Sequence, residues 1–539
     1  MVIEDVETNF WAIEVPFGVN AHAIAEQYGH TLIGKVGPFE NVYLFEKKFS
    51  TIHGVTHPHF SLSDSNISWF ERQIAKHRYK RGIPSDPLYG DQWHLHLIND
   101  THAHINIEPA WNQGFIGLGV TVAVVDDGLE YTHPDIAPNY SPETSFDFNF
   151  NDTSPFPDFS ADRHGTAASG CACAANNSVC GVGSAFGAKI SGIRILGAAV
   201  TDSMEAGALS YKNNINDIYS NSWGPIDDGR RKEGPGRLSR ASLEYSIAQG
   251  RHGKGSIYVW AAGNGKRGGD NCNYDGWANS RYTISIGAVD INGISSYYSE
   301  PCAALLAVAP SSGNTLGVVT TDLTGDRGYT SGDCTYYFSG TSAAAPIAAG
   351  AIAVVLQANP HLTWRDVQGV LATTCSKTDP TDGDWYKNAA GLWVNHKYGF
   401  GLVDTSAAVQ KALHWQLLPP VLHTQVSVSQ NLAIPETNAT YLSIPLVVQT
   451  DFVVEHVDLY FNATTTRRGD LRILLTSPQN TESVLAEYHG DMNANYAWRF
   501  GTIRAWGEHS AGTWMLKVRD EAAGNPATFT GNVTSKNSF

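Results

Sequence analysis

The feature that most constrains the fold is a long alternation of apolar runs with helix-like stretches, from about residue 86 to residue 415. Runs such as GVTVAVVDDG, AKISGIRIL, GSIYVWAAGNG and TISIGAV are short and apolar. Buried parallel strands have this character, and their alternation with helices favours a sheet that is covered on both faces. The segment is therefore predicted to be an α/β domain with a parallel sheet.

Two segments of different character flank this alternation. Residues 1–81 contain the strand-like FWAIEVP and VYLFEKKF with the helix-like AHAIAEQYG between them, which predicts a small α+β unit. From about residue 420, ATYLSIPLVV and VEHVDLYFNA alternate with period two, which is typical of an all-β sandwich. We therefore predict three domains, at residues 1–81, 82–418 and 419–539.

The charge and the apolar content of the chain limit the kinds of partner that it is expected to bind. The chain has 539 residues, with 36 basic and 52 acidic side chains and a net charge of −16. This balance disfavours nucleic acid and anionic membranes and is compatible with a cationic substrate. No run is expected to reach the roughly 18 apolar residues of a membrane helix. We expect a monomer, and a sequence from which the signal peptide and any membrane anchor are missing.

Polar side chains stand where predicted strands end and helices begin, which is where α/β sheets collect functional groups. Asp126 and Asp127 end VAVVDDG, while His164 and Ser342 each precede a helix-like stretch of small residues. A serine hydroxyl becomes a nucleophile when an imidazole takes its proton, and a carboxylate orients that imidazole. Asn264, at another strand end, could donate to an oxyanion. Each residue alone also has an ordinary structural explanation as a cap or turn residue.

Asp126 in VVDDG, His164 in HGT and Ser342 in SGTSAAAP occur in the order and contexts that resemble the subtilisin-like serine proteases. More narrowly, SNSWGPIDDG, GDNCNYDGWANS and YYSEPC resemble the kexin/furin-like proprotein convertases, closest to fungal kexin. The resemblance implies that Asp126 orients His164, that His164 is the general base and that Ser342 is the nucleophile. It implies that Asn264 completes the oxyanion hole, and that a propeptide, a catalytic domain and a β-sandwich P domain follow one another.

The resemblance also implies a preference for basic substrates. Asp275 is implied at the base of the P1 pocket and Asp127 at P2, where Asp162 could compensate for Ala161, an acid in the relatives. The residues implied around P4 are Glu205, Glu233 and Trp277. The expected activity is cleavage of secretory precursors after Lys-Arg or Arg-Arg, in the secretory pathway and by resemblance in the late Golgi. A broad degradative subtilase and an inactive pseudoprotease that acts as a binding scaffold are the alternatives.

Calcium is the implied cofactor, because oxygen ligands from acids and a loop suit it better than zinc. The first implied site lies under the P1 pocket and contains Asp227, Asp270 and Glu300. The second contains the side chains of Asp86, Asp135 and Asn177 and carbonyls near Ala174, Val179 and Gly181. A third site at Asp147 and Asp152 stays open, since the family's next acid is Ser154 here.

The resemblance further implies two disulfides and one processing site. The expected disulfides are Cys180–Cys334 and Cys272–Cys302, which leaves Cys171, Cys173 and Cys375 free. RYKR matches the implied specificity, with Arg81 at P1, Lys80 at P2 and Arg78 at P4, although a solvated loop is the ordinary explanation. We expect self-cleavage after Arg81, with residues 1–81 as an intramolecular chaperone and inhibitor. The last strand of the P domain is expected to be missing, which would leave a sheet edge open.

Overall fold

The N-terminal part of the chain folds as the predicted α+β unit. The computed structural model describes residues 6–48, 59–75, 84–96, 102–313, 316–437, 440–531 and 533–538. By its internal contacts the chain divides into two units, Met1–Lys80 and Arg81–Phe539. The expected processing residues Arg78, Lys80 and Arg81 lie outside the described residues.

The first unit is a four-stranded antiparallel sheet with one helix against it. Its elements are β1 (Val6–Glu14), α1 (Ala21–Gln27), β2 (His30–Lys35), β3 (Val42–Lys47) and β4 (Trp69–Ala75). The strand order is β2-β3-β1-β4, with antiparallel pairing throughout. Helix α1 begins after Asn20, whose side chain accepts the N–H groups of His22 and Ala23. Ile13 of the sheet and Ile24 of the helix lie in one buried cluster, which joins the two layers.

The second unit begins with an α/β domain built on a seven-stranded sheet. The strands of this sheet are β5 (Thr121–Asp126), β6 (Phe146–Asp147), β7 (Lys189–Arg194), β8 (Ile218–Asn221), β9 (Ile257–Ala261), β10 (Thr283–Val289) and β11 (Ala307–Pro310). They are ordered β11-β10-β9-β8-β5-β7-β6, and every pair is parallel. The prediction of a parallel sheet is therefore confirmed.

Helices and two antiparallel strand pairs complete the α/β domain. The helices are α2 (Glu108–Asn112), α3 (His164–Cys173), α4 (Asp202–Ala208), α5 (Arg237–Gly253), α6 (Thr341–Ala358), α7 (Trp364–Thr374) and α8 (Thr405–Leu413). The short strands are β12 (Val318–Thr321), β13 (Cys334–Phe338), β14 (Tyr386–Lys387) and β15 (Trp393–Val394). Strand β12 pairs with β13, and β14 pairs with β15.

Helix α6 corrects the expectation that no run is long and apolar enough to span a membrane. Its 18 residues have a mean hydropathy of 1.6, which satisfies that test by length and composition. The helix is nevertheless 83% buried, because it forms the centre of the largest hydrophobic cluster of the α/β domain. A Cβ on Gly350 would lie 2.7 Å from the carbonyl oxygen of Ala172 on α3, so the small residues allow close helix packing. Helix α6 is therefore a core helix.

The C-terminal part of the second unit is a β-sandwich, as its period-two pattern predicts. One sheet contains β16 (His423–Val428), β17 (Leu432–Ile434), β19 (His456–Thr464), β22 (Tyr496–Thr502), β24 (Ala527–Phe529) and β25 (Val533–Ser538). The other contains β18 (Leu442–Val448), β20 (Leu471–Thr476), β21 (Glu482–Ala486) and β23 (Gly512–Asp520). Strand β25 lies between β16 and β19. The expectation that the last strand is missing is therefore wrong, because Val533–Ser538 forms a strand that pairs on both sides.

The α/β domain and the sandwich share a polar interface with buried ion pairs. Arg365 of α7 pairs with Glu455, and Arg281 pairs with Asp458 of β19. At another part of this interface the side-chain amide of Asn388 donates to the carbonyl oxygens of Arg504 and Trp506, at 3.0 and 2.9 Å. Buried polar groups that are paired in this way hold two domains in one relative position, because separating the domains would break each pair.

Candidate active site

The three residues predicted to react lie at the edge of the sheet. Asp126 ends β5, His164 begins α3 and Ser342 lies in the first turn of α6. Nδ1 of His164 lies 2.9 Å from both carboxylate oxygens of Asp126. The carboxylate of Asp126 is almost fully buried, whereas the His164 side chain is 28% exposed, which leaves the other face of the imidazole accessible. Gly165 is required beside it, because a Cβ there would lie 2.2 Å from the carbonyl oxygen of Gly128. The first turn of α3 thus approaches the end of β5 closely enough to place the imidazole on the carboxylate.

Ser342 lies in the first turn of α6, directly after the hairpin that contacts His164. The ring of Phe338, which ends β13, packs edge-on against His164 with centroids 5.3 Å apart. Gly340 then turns the chain into the helix with φ of 82°, a conformation that favours glycine. The short path from Phe338 to Ser342 brings the serine to the edge of the sheet that carries Asp126 and His164.

Two hydrogen-bond donors converge beside Ser342. Oδ1 of Asn264 accepts hydrogen bonds from Thr341, from its N–H at 2.8 Å and from its hydroxyl at 3.1 Å. This leaves Nδ2 of Asn264 as a donor, and it lies 3.6 Å from the point where a Cβ of Gly340 would stand. The N–H nitrogen of Ser342 lies 3.5 Å from the same point. Donors converging on a bare glycine can stabilise the oxyanion of an acyl-transfer intermediate.

The charges around His164 favour its protonated form. Burial lowers the pKa of His164, but the carboxylates of Asp126 and Asp127 outweigh burial, so that the pKa is raised. Burial and the charge of Asp126 raise the pKa of Asp127. Stabilising an imidazolium is what a general base needs at the moment when it takes a proton from a serine hydroxyl.

The acidic residue Asp275 has one carboxylate oxygen satisfied by its own loop. Its Oδ1 accepts the N–H groups of Trp277 and Ala278, at 2.7 and 3.1 Å. Its Oδ2 faces Gly224, where a Cβ would lie 2.7 Å away. Burial, together with the charges of Asp227 and Asp270, raises the pKa of Asp275 to about 8 against the effect of the two N–H groups. A side chain at position 224 would therefore crowd this oxygen.

The backbone segment that contains Gly224 also contacts the candidate nucleophile. The hydroxyl of Ser222 donates to the carbonyl oxygen of Ser342 at 3.2 Å, and Gly224 follows two residues later. The same backbone segment therefore contacts the serine at one point and the carboxylate of Asp275 at the next.

Three further acids surround Asn264. Asp227 accepts the N–H of Asn264 at 2.8 Å, and Glu300 accepts the N–H of Gly265 at 2.8 Å. Burial raises the pKa of Asp270 to about 6, with a contribution from Asp227, and raises that of Glu300 well above its usual range. Within the described part of the chain, no group of three or more His, Cys, Asp or Glu residues is arranged to hold a metal ion by itself. Further oxygen ligands would be needed.

The residues of the second implied calcium site come together around Asn177. The N–H of Asn177 donates to Asp86 at 2.8 Å, and its side-chain amide donates to Asp135 at 3.0 Å. Val179 donates to Oδ1 of Asn177 at 2.7 Å, and Gly181 packs against Gln92. Oδ2 of Asp86 and Oδ2 of Asp135 are both buried without a hydrogen-bond partner. Two orphaned, buried carboxylate oxygens fit a calcium ion, because they need a positive partner.

The residues expected at P2 and P4 differ in burial and in the contacts that they make. The carboxylate of Asp127 accepts the N–H groups of His164 and Gly165, so it caps α3. Glu205 accepts the hydroxyl of Ser239 at 2.9 Å, and burial raises its pKa, with contributions from Asp202 and from Glu233. Trp277 is 4% exposed and its ring packs with Trp223 and Trp260. Of these residues, Trp277 contacts Asp275 directly, because its N–H donates to the Asp275 carboxylate.

Asp162 is part of a buried ion pair. It pairs with Arg194 at 2.8 Å. Arg194 also pairs with Asp147 at 2.8 Å and with Asp158 at 2.9 Å. The expectation that Asp162 compensates for Ala161 at P2 stays a prediction, which this ion pair disfavours.

The cysteines pair as expected. The structure contains the disulfides Cys180–Cys334 and Cys272–Cys302. Cys171, Cys173 and Cys375 are free thiols. Burial raises the pKa of Cys171 to about 12 and also raises the pKa of the other two, so these thiols stay protonated.

Comparison with known families assigns each part of the chain. The Subtilase family matches residues 117–401, the proprotein convertase P-domain matches residues 454–531, and the Peptidase S8 pro-domain matches residues 10–81. A crystal structure titled as a serine protease of Aeromonas sobria superposes with a TM-score of 0.76 at 25% identity, over 85% of this chain and 95% of that one.

Two mammalian proteins illustrate the relationship. Human proprotein convertase subtilisin/kexin type 6 is 40% identical over 556 residues, which cover 96% of this chain and 56% of that protein. Mouse proprotein convertase subtilisin/kexin type 7 is 40% identical over 525 residues, covering 93% and 68%. The chain thus spans little more than half the length of the type 6 relative.

Fold, site and family matches together define a subtilisin-like serine endopeptidase with an N-terminal pro-domain. The chain belongs to the proprotein convertases of the subtilisin/kexin family.

Several residues that shape the site were missed from the sequence. Arg194 lies in the mostly apolar run ISGIRIL, and a charged residue in such a run is a signal of a buried ion pair. Gly224 gave no such signal, because its importance depends on the side chain of Asp275, which approaches from another part of the chain.

Proposed function

We propose that this protein is a calcium-dependent endoprotease that cleaves precursor proteins after Lys-Arg or Arg-Arg in the secretory pathway. The observation that carries the proposal is the carboxylate of Asp275, whose Oδ2 faces Gly224 in the segment that contacts Ser342. Its relatives are named as proprotein convertases. Two disulfides also fit an oxidising compartment.

A P1 arginine would complement the charge of the Asp275 carboxylate. A guanidinium that reaches Oδ2 of Asp275 forms a charge-assisted hydrogen bond of about 1.5–3 kcal/mol. Desolvation disfavours the ionised form of Asp275 and raises its pKa to about 8, so a cationic side chain, which stabilises that ionised form, binds more favourably than a neutral one. Discrimination in favour of basic residues follows from this difference.

Calcium would balance the acids that surround the pocket. Asp227, Asp270 and Glu300 would hold one ion with additional oxygens, and Asp86, Asp135 and Asn177 would hold another. A bound calcium supplies the positive charge that keeps such carboxylates ionised. The carboxylates of the pocket would then carry their negative charge at neutral pH and could bind a basic substrate.

We assign the neighbouring subsites from the resemblance to the proprotein convertases. Asp127 is proposed to receive P2, and Glu205, Glu233 and Trp277 are proposed to receive P4. The loss of the acid at Ala161, with Asp162 committed to Arg194, predicts a weaker selection for lysine at P2. A closer relationship to fungal kexin, and with it a late-Golgi location, stays a prediction.

We propose the domain boundaries 1–81, 82–418 and 419–539, with self-cleavage after Arg81. The match to the pro-domain ends at residue 81, directly after RYKR. Residues 1–81 would then act as an intramolecular inhibitor until release.

The direct test compares a fluorogenic Arg-x-Lys-Arg peptide with an Ala-Ala-Pro-Phe peptide, each with calcium and with a chelator. We expect hydrolysis of the basic peptide alone, and loss of that activity in chelator. Hydrolysis of the Phe peptide alone would indicate a degradative protease. A folded protein without activity on either peptide would indicate a binding scaffold.

A further inference from the structure

The loop that carries Asp275 is closed by a hydrogen bond between its own residues. This specificity loop, residues 270–279, begins with Asp270 and ends with Asn279. The side-chain amide of Asn279 donates to the carbonyl oxygen of Asn273 at 2.8 Å, so the two residues bracket Asp275. Both asparagines are almost fully buried. The position of Asp275 therefore depends on how Asn273 and Asn279 are held.

Both bracketing asparagines are held by strand β22 of the sandwich. Nε1 of Trp498 donates to the carbonyl oxygen of Asn273 at 2.7 Å, and the N–H of Gly501 donates to its Oδ1 at 3.0 Å. Asn279 donates to the carbonyl oxygen of Arg499 at 3.0 Å and accepts from the guanidinium of Arg499 at 2.6 Å. Residues 498–501 thus contact the specificity loop on both sides of Asp275.

The other end of the specificity loop is held by a second sandwich segment. The ring of Tyr274 stacks on His489 with centroids 4.1 Å apart and an interplanar angle of 21°. Its hydroxyl donates to the carbonyl oxygen of Glu487 and accepts the N–H of Glu487, both at 3.0 Å. The side-chain amide of Asn271 donates to the Glu487 carboxylate at 3.0 Å. The residues directly before Asp275 therefore have little freedom to move while the sandwich is docked.

We propose that the sandwich positions the P1 carboxylate, with Asn273 and Trp498 as the positioning residues for recognition of a P1 arginine. This proposal rests on the proposed function, because it assigns P1 to Asp275. The bond to a guanidinium is directional, so a loop displaced by a fraction of an ångström loses much of it. The sandwich thus takes part in substrate selection through the loop, without touching the substrate.

The test is Trp498→Phe, which keeps an aromatic ring and removes the N–H that donates to Asn273. A lost hydrogen bond of about 1 kcal/mol corresponds to roughly fivefold in an equilibrium constant. We expect the KM for a Lys-Arg peptide and the inhibition constant of p-aminobenzamidine, a cation small enough to fill only the P1 pocket, to rise about fivefold. We expect kcat to change little, because Ser342 and His164 are untouched.

The matched control is Asn388→Ala. This variant also loses hydrogen bonds across the same interface, to Arg504 and Trp506, but it contacts no residue of the specificity loop. We expect a comparable loss of thermal stability with an unchanged inhibition constant. An equal rise in the inhibition constant for both variants would show a general stability effect and would overturn the proposal.

Two further variants separate the possible failures. Asp275→Asn should raise the inhibition constant at least as much as Trp498→Phe does; if it has no effect, the P1 assignment itself is wrong. If Asp275→Asn acts and Trp498→Phe does not, only the positioning role is wrong. Should Trp498→Phe fail to fold, Arg499→Met removes the donor to Asn279 from the other side, and the same rise is expected.

Discussion

At the scale of single residues, the site depends on glycines as much as on the groups that react. Gly340, Gly165 and Gly224 leave space beside Ser342, Asp126 and Asp275 respectively. A methyl group at these positions would lie, in the same order, 3.2 Å from Oδ1 of Asn264, 2.9 Å from Cβ of Asp126 and 2.7 Å from Oδ2 of Asp275.

Gly224→Ala should therefore weaken recognition of arginine at P1. The new Cβ would lie 2.7 Å from Oδ2 of Asp275, where the guanidinium is expected. Loss of one charge-assisted hydrogen bond, about 1.5–3 kcal/mol, predicts a fall in kcat/KM for a Lys-Arg peptide of roughly tenfold or more. Gly383→Ala is the control, because nothing lies within 4 Å of its added Cβ. Equal kcat/KM values for Gly224→Ala and the unsubstituted enzyme would contradict the proposed path of the P1 side chain.

Ser342→Ala should leave the bond between residues 81 and 82 intact during expression. The serine hydroxyl is the proposed nucleophile, so its removal abolishes self-cleavage while the small side chain still fits the first turn of α6. The measurement is N-terminal sequencing of the purified protein. A chain that begins at Gly82 despite the substitution would show that another protease performs the maturation step.

At the scale of elements, local motifs are predictable from sequence and distant partners are not. The strand ends at Asp126 and Asn264 and the helix starts at His164 and Ser342 were recognisable, because each signal lies within a few neighbouring residues. The partner of Asp162 was not recognisable, because Arg194 lies 32 residues later in the sequence, on a buried strand. An acid beside a pocket looks the same in sequence whether it faces substrate or is already paired.

The loop around Asn177 provides an element-scale prediction about calcium. Burial, together with the charge of Asp86, raises the pKa of Asp135 to about 8. Asp135→Asn removes this repulsion, so we expect a higher melting temperature than that of the unsubstituted protein in chelator. We also expect a smaller calcium-induced rise in melting temperature, because one ligand charge is lost.

The exposed Asp326 offers the control for this measurement, and Asp326→Asn should change neither value. A calcium-induced rise that is as large in Asp135→Asn as in the unsubstituted protein would show that no ion binds at this loop.

At the scale of the whole molecule, the interface between the catalytic domain and the sandwich contains a titratable group. His456 of β19 is buried and its Nε2 lies 2.6 Å from Oε1 of Gln368. Burial lowers the pKa of His456 to about 3, and Arg281, Arg365 and Arg499 contribute while Asp458 opposes them. The folded protein therefore keeps this imidazole neutral in mildly acidic solution, where an unfolded chain would protonate it.

His456→Gln should make stability less dependent on pH. Below about pH 6.5 the unfolded state binds a proton that the folded state does not, so stability falls by about 1.4 kcal/mol per pH unit per group. This loss begins near pH 6.5 and continues down toward pH 3. Glutamine can still donate to Gln368, so the variant should lose less melting temperature between pH 7 and pH 5. His361→Gln, at an exposed position, should follow the unsubstituted curve, and so would His456→Gln if the interface did not titrate.

The dependence of the specificity loop on β22 has a consequence for the order of synthesis. Asn273 and Asn279 find hydrogen-bond partners in residues 498–501, more than two hundred positions later in the chain. Until those residues have been synthesised, water must satisfy the polar groups that they cover. On the proposed role of the loop, a chain without its sandwich binds basic substrates weakly, so cleavage is held back until the sandwich has been synthesised.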